Sequence, residues 1–190
     1  MTTIRTAERE TYAAAHAMPQ YAEFSPGEKF LDAFISMAQP SLGATVLDAG
    51  CSSGKGAIAL SKAGFNVTCC DLDESGLVYE ATLFPFVQAC LWDDLVPSVG
   101  GHDFVYCCDV LEHIPTPFTM LVVSRLLAVA KHGVFLSIAL QADDFGAWIG
   151  TSLHRTVQSY VAWRHQLGEL GRVVEGRDLG TVGLYFVAAK

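Results

Sequence analysis

The sequence predicts an α/β fold, a doubly wound and mostly parallel sheet with helices on both faces and an antiparallel hairpin at the C-terminus. Strand-like apolar runs alternate with helical segments along the chain. The runs are continuously hydrophobic, which is typical of strands covered on both faces. The last two runs are joined through the short polar segment 177–180, which indicates a hairpin. A chain of 190 residues suits one domain.

The predicted elements follow one another from the N-terminus. Residues 1–17 are weakly helical, and Ser25 begins a capping-box pattern that predicts a helix from Pro26 to about Ala38. The predicted strands are Thr45–Asp48, Asn66–Leu72, Phe86–Cys90, Phe104–Asp109, Val134–Leu140, Arg172–Glu175 and Val182–Ala188. The other predicted helices cover residues 54–62, 74–83, 117–131 and 160–170, the last with Ser159 as its N-cap. We expect a single domain over 1–190, in which residues 1–40 form a helical lid or cap on a core of residues 41–190. Tyr12, Tyr21 and Phe24 precede the helix predicted from Pro26 and either pack there or close the lid.

Composition narrows the class of protein. Twelve basic against 20 acidic side chains give a net charge of −8, which makes a nucleic-acid partner unlikely. The mean hydropathy is positive, but charged residues interrupt the most apolar stretch, Phe118–Leu140, so no membrane span is expected. Six cysteines lie in or beside strand-like runs without metal-binding spacing, which indicates reduced core thiols and a cytoplasmic location.

Polar side chains follow the strand-like runs at their carboxyl ends. Asp48, Asp71, Trp92, Asp109 and Gln141 come at or just after the ends of the first five runs. In open α/β sheets, ligands bind outside the carboxyl ends of the strands. The pattern therefore predicts a ligand site at this edge of the sheet.

The glycine-rich segment after the first strand allows several nucleotide-binding interpretations. A P-loop is excluded, because only three residues separate Gly50 from Gly54 and Lys55 is followed by Gly56 instead of Ser or Thr. The fingerprint Gly54-x-Gly56-x-x-Ala59 matches a dinucleotide site, but it falls inside the predicted helix, not in the turn. An NAD(P)-binding oxidoreductase therefore stays a lesser alternative.

A third interpretation accounts for more of the chain. The loop contains Asp48-x-Gly50-x-Ser52-x-Gly54, Asp71 follows 21 residues after Gly50, and residues 103–115 contain D-x-V…D-V-L-E-H-I-P. Together with the terminal hairpin, these features resemble class I S-adenosylmethionine-dependent methyltransferases of the small-molecule, type 11-like group. The resemblance implies a Rossmann-like seven-stranded sheet. Ser52 replaces the middle glycine of the motif, and a positive φ there would cost stability.

The resemblance also implies roles for individual residues toward S-adenosylmethionine. Asp71 would hold the ribose hydroxyls, and Asp109 or the backbone beside it would meet the methionine amino group. Cys90 stands where many relatives have an adenine-binding Asp, so that role would pass to Asp93 or be absent. The other expected cofactor-binding residues are Asp48, Gly50, Cys51, Ser52, Gly54, Leu72, Leu91 and Trp92.

The expected reaction is methyl transfer to an oxygen or nitrogen atom of a small-molecule acceptor. His113 and His154 are the candidates for a general base, because an acceptor hydroxyl must lose a proton. No metal is expected, since His102, Asp109, Glu112 and His113 have no metal-ligand spacing. The alternative is a cofactor-binding pseudo-enzyme or regulatory subunit. The segment from Leu91 to His102 lacks a predicted helix, so a second copy or a partner subunit could cover the sheet there.

Overall fold

The computed structural model describes residues 2–23, 25–92 and 101–189 and contains a seven-stranded sheet. The strand order is β3-β2-β1-β4-β5-β7-β6. Strands β1 to β5 pair in parallel, while β7 runs antiparallel to β5 and β6. The strands are β1 Thr45–Ala49, β2 Asn66–Asp71, β3 Phe86–Gln88, β4 His102–Cys108, β5 Ala130–Ala139, β6 Arg172–Asp178 and β7 Val182–Ala188. This topology confirms the predicted fold class.

Helices cover both faces of the sheet. On one face, Phe34 of α4 has no exposed surface and contacts aromatic rings of β4 and β5. On the other face, Leu126 and Trp163 are equally buried in a second apolar cluster. The helices are α1 Thr2–His16, α2 Pro19–Glu23, α3 Pro26–Lys29, α4 Leu31–Ala38, α5 Lys55–Lys62, α6 Thr119–Val129, α7 Gly146–Ile149 and α8 Tyr160–Leu170. The 3-10 helices are Tyr79–Leu83, Leu111–His113 and Thr116–Phe118.

Several predicted boundaries are wrong by a few residues. The helix expected from Pro26 to Ala38 is divided at Phe30, and the Ser25 side chain makes no capping hydrogen bond. The helix expected at 74–83 is a 3-10 helix confined to Tyr79–Leu83. The N-cap at Ser159 is confirmed, because its hydroxyl accepts the Ala162 N–H at 3.2 Å.

Two sequence expectations concern features beyond the site. All six cysteines are buried and none forms a disulfide. Within the described residues, the helices are too short or too polar to cross a bilayer. Residues 93–100 lie outside the described part of the chain, so the expectation of a thinly covered sheet face between Leu91 and His102 stays a prediction.

Candidate functional site

The loop after β1 depends on backbone conformations that glycine adopts readily. Gly50 and Gly54 have φ angles of 79° and 73°. A Cβ on Gly50 would overlap the Val110 side chain, and a Cβ on Gly54 would overlap Ala81. Ser52 also adopts a positive φ, of 49°, which costs a non-glycine residue some stability. The loop therefore keeps its shape because small residues allow neighbouring elements to approach it closely.

Asp71, at the end of β2, ties this loop to the sheet. Its Oδ2 accepts the Ser52 N–H at 2.7 Å, and its Oδ1 accepts the Leu72 N–H at 2.7 Å. Burial raises the pKa of Asp71, although the two amides and His16 oppose that shift. Each carboxylate oxygen keeps further acceptor capacity. Asp71 can therefore receive hydrogen bonds from the hydroxyls of a ligand.

A cavity opens over the carboxyl ends of β1, β2, β3 and β4. It encloses about 610 Å³, including its open mouth. The sheet order reverses between β1 and β4, which is where ligands bind in open α/β sheets. We call this space the first cavity. Its walls are formed by Tyr12, His16, Tyr21, Gly50, Asp71, Leu72, Ala89, Leu91, Trp92, Asp109, Val110, His113 and Ile114.

The N-terminal helices form one wall of the first cavity. His16 Nε2 lies 2.9 Å from Ser52 Oγ, and its ring lies 5.4 Å from that of Tyr21. Sequence reasoning suggested that Tyr12, Tyr21 and Phe24 either pack or close a lid, but it missed His16. The position of His16, four residues after Tyr12 and therefore on the same face of the helix, could have indicated it. Phe24 lies outside the described residues.

The expected cofactor residues fall into two groups. Gly50, Asp71, Leu72, Leu91, Trp92 and Asp109 line the first cavity, and their binding of a cofactor stays a prediction. Asp48, Cys51, Ser52 and Gly54 are not among its wall residues. Asp48 is buried beneath the loop, where it accepts the Ala57 N–H and where burial raises its pKa to about 7. These four residues shape the loop without lining the cavity. Asp93 lies outside the described residues.

Asp109 occupies a strained position immediately after β4. Its φ is 61°, and its N–H donates to the Ser137 carbonyl at 2.9 Å. The sequence predicted that the strand would include Asp109, but β4 ends at Cys108 because the chain turns there. Strained non-glycine residues occur preferentially at functional sites. The turn directs the Asp109 side chain into the cavity wall.

A second cavity continues from the first one. The two share Tyr21, Asp109 and His113 as wall residues. The second cavity encloses about 800 Å³, including its open mouth. Its further walls are formed by Lys29, Ala139, Gln141, Ala142, Asp143, Asp144, Phe145, Leu153, His154, Thr181 and Val182. A ligand in the first cavity and a smaller molecule in the second would thus meet at Asp109 and His113.

The structure brings the two predicted catalytic histidines together. The His113 and His154 rings lie 4.9 Å apart, edge to face at 88°. His154 Nδ1 lies 2.6 Å from the Gln141 carbonyl oxygen. Because a carbonyl oxygen only accepts hydrogen bonds, Nδ1 carries the proton and Nε2 keeps a lone pair. Burial lowers the pKa of His113 to about 4, and the negative charges of Asp109 and Asp143 oppose this shift only in part. With its bare Nε2, His154 is the better placed proton acceptor of the two rings.

Glu112 connects the histidine pair to the sheet. It has no exposed surface, its Oε1 accepts the Ala139 N–H at 2.6 Å, and burial raises its pKa. Glu112, His113 and His154 offer metal-ligand atoms within 4.8 Å of one another. These three side chains could hold a divalent metal if their ligand atoms moved closer to one another. Spacing along the sequence gave no sign of this group, because His154 comes 41 residues after His113.

The chain is similar to known methyltransferases. The methyltransferase domain family matches residues 47–138. The ubiquinone biosynthesis O-methyltransferase of Vibrio parahaemolyticus is 28% identical over 140 residues, which make up 69% of this chain and 53% of that protein. The chloroplastic magnesium protoporphyrin IX methyltransferase of Arabidopsis thaliana is 30% identical over 160 residues, 76% of this chain and 51% of that protein. The chain spans about half the length of these curated relatives.

A solved structure shares the fold over the whole chain. It is the 1,6-didemethyltoxoflavin-N1-methyltransferase of Burkholderia thailandensis with bound 1,6-didemethyltoxoflavin and S-adenosylhomocysteine. The TM-score is 0.68 at 18% identity, and the match covers 100% of this chain and 88% of that one. At this level of identity the similarity establishes the fold alone.

Proposed function

We propose that this chain is a class I S-adenosylmethionine-dependent methyltransferase and that it transfers a methyl group to an oxygen or nitrogen atom of a small-molecule acceptor. The observation that carries the proposal is the pair of connected cavities at the carboxyl ends of the strands. One contains the Asp71 carboxylate and the other contains His154. Each reactant would have its own space, and the two spaces meet at shared walls.

The first cavity suits the cofactor. Asp71 has acceptor oxygens for the ribose hydroxyls, and Leu72, Leu91 and Trp92 offer apolar surface for the adenine. Gly50 approaches Val110 closely, which a Cβ would prevent. This close approach would leave space over the loop for the methionine portion of the cofactor. Asp109 would bind the methionine amino group. S-adenosylmethionine supplies the activated methyl group when it is bound.

The protein's own part in the reaction is to position the acceptor and to accept a proton. Tyr21 and Phe145, whose rings lie 5.7 Å apart, would hold an acceptor in the second cavity. His154, with its bare Nε2, would take the proton of an acceptor hydroxyl. Holding the reacting atoms in attack geometry can lower the activation free energy by several kcal/mol.

The N-terminal helices and the buried cysteines extend the proposal to a lid and to a location in the cell. Helices α1 and α2, within the segment 1–40 expected as a lid, would close the first cavity, while residues 41–190 form the cofactor-binding core. Buried cysteines without disulfides favour a reducing compartment such as the cytoplasm. A homodimer or a partner subunit stays a prediction.

The proposal is tested by following S-adenosylhomocysteine formation with panels of small hydroxylated, carboxylic and amine acceptors. We expect turnover with one of these classes. For a hydroxyl acceptor, His154→Gln should lower kcat by roughly 10²- to 10⁴-fold and leave affinity for S-adenosylhomocysteine unchanged. The matched control is His165→Gln, because that ring is exposed on α8.

Two outcomes would contradict the proposal. Binding of S-adenosylhomocysteine without turnover on any acceptor class would favour the cofactor-binding pseudo-enzyme or regulatory subunit. Equal kcat for the His154 variant and its control would remove His154 from the reaction.

A further inference from the structure

Asp143 holds together the segment that carries His154. Its Oδ2 accepts the Leu153 N–H at 2.7 Å, the His154 N–H at 3.1 Å and the Ser152 hydroxyl at 3.1 Å. Its Oδ1 accepts the N–H of Gly146, at the start of α7. One carboxylate thus joins the chain after β5 to residues 152–154, which we call the histidine strap.

The close fit of this turn leaves little freedom to the strap. A Cβ on Gly146 would overlap the Thr151 carbonyl, and it would lie 2.9 Å from the Leu153 nitrogen. The next two residues are fixed as well, because the N–H groups of Arg155 and Thr156 donate to the Glu112 carbonyl at 2.7 and 2.9 Å. His154 is therefore anchored on both sides, by Asp143 before it and by Glu112 after it.

We propose that Asp143 is a positioning residue for His154: its hydrogen bonds to the strap backbone hold the imidazole where the Gln141 carbonyl keeps the proton on Nδ1 and leaves Nε2 bare. Gln141 lies two residues before Asp143, so one short segment supplies both the anchor for the strap and the acceptor for the ring. A hydrogen bond from one ring nitrogen selects the tautomer and thereby determines which nitrogen can accept a proton.

This inference deepens the proposed function, because it explains how His154 is prepared for proton transfer. A negative charge in this segment does not by itself hold the strap. Asp144, the next residue, is also an aspartate, yet it is exposed and is not the carboxylate that holds the strap. The inference therefore predicts a large difference between two neighbouring substitutions that remove the same charge.

The test is the tautomer of His154, read from long-range ¹⁵N–¹H NMR correlations of the ring at pH 8. We expect Nδ1–H with bare Nε2 in the wild type and in the matched control Asp144→Asn. In Asp143→Asn one of the two accepting oxygens becomes an NH2 group, which only donates, so either the strap N–H groups or the Gly146 N–H loses its acceptor. That variant should show a mixture of both tautomers.

Kinetics provide a second readout. We expect Asp143→Asn to lower kcat at least tenfold, with unchanged affinity for S-adenosylhomocysteine. Because Asp144 lines the second cavity, the control for kcat is Glu169→Gln, an exposed carboxylate on α8, which should keep the wild-type kcat. If Asp143→Asn does not fold, Asp143→Ser replaces it, because a serine can still accept the Gly146 N–H but is too short to hold the strap. The wild-type tautomer in the folded Asp143 variant would overturn the inference. The tautomer result decides it even if no acceptor is methylated, so failure of the proposed function is distinguishable from failure of this inference.

Discussion

At the scale of single residues, Asp71 is the side chain that links the loop after β1 to any ligand in the first cavity. Asp71→Ala should weaken binding of S-adenosylhomocysteine by about 1–3 kcal/mol, because polar groups of the site lose their partner. Isothermal titration calorimetry measures the effect, and thermal unfolding checks the fold, since Asp71 also accepts two backbone N–H groups. Glu74→Gln, an exposed neighbour, is the control. Unchanged affinity in a folded Asp71→Ala protein would mean that the ribose is held elsewhere.

His113 makes stability depend on pH. Its pKa is lowered from 6.5 to about 4, so between these values the unfolded chain holds a proton on this ring that the folded protein does not hold. Stability therefore falls as pH decreases through this window, by about 3 kcal/mol for the full shift. His113→Gln should lose less stability than the wild type between pH 7 and pH 4.5, as measured by urea unfolding.

The control for this comparison is His165→Gln, because that ring is exposed. The raised pKa of Asp48, about 7, acts in the opposite direction, since its folded form gains a proton as pH falls through 7. That contribution is common to all three proteins and does not affect their difference. A His113 variant with the wild-type pH dependence would show that this ring titrates normally.

At the scale of elements, α1 is fixed to the core by two ion pairs of different kinds. Glu8 is 3% exposed and its Oε1 lies 2.9 Å from Arg155 Nη2, immediately after the histidine strap. Arg9 meets Asp73 at 3.5 Å, and 46% of its side chain is exposed. Glu8→Ala removes a buried carboxylate that connects α1 to Arg155, whose own side chain is 38% exposed. An ion pair in which both side chains reach solvent contributes only roughly 0–1 kcal/mol. The two pairs should therefore differ in their effect on the first cavity.

We expect Glu8→Ala to loosen α1 and to weaken binding of S-adenosylhomocysteine by more than tenfold. Arg9→Ala, a substitution on the same helix, should change the affinity less than threefold. Calorimetry gives the affinities, and hydrogen exchange of residues 6–16 shows whether α1 has loosened. Equal effects of the two substitutions would contradict the role of Glu8 as the main attachment of α1.

Elements were predicted better than their ends. The strands were found because β1, β4 and β5 are continuous apolar runs, and their burial on both faces follows directly from that pattern. Their ends depend on contacts that local sequence does not contain. The division of a helix at Phe30 is one example, and the turn at Asp109, with its N–H bonded to Ser137, is another.

At the scale of the whole molecule, the edge of the sheet where the sequence predicts a ligand site is the edge where the two cavities open. Polar residues follow the five parallel strands at that edge. The sequence could not predict which distant side chains meet there. His154 lies beside His113 only because Asp143 and Glu112 anchor the histidine strap from two other elements. His16 reaches Ser52 only because α1 folds across the loop. Such contacts depend on tertiary packing, which a periodic pattern does not encode.

The central claim is that the first cavity binds S-adenosylmethionine. The most direct test is calorimetric titration of the purified protein with S-adenosylhomocysteine, with NADH as the parallel control. The account predicts binding of S-adenosylhomocysteine with a Kd on the order of micromolar, or about −8 kcal/mol, and no binding of NADH. Binding of NADH alone, or of neither compound, would contradict it.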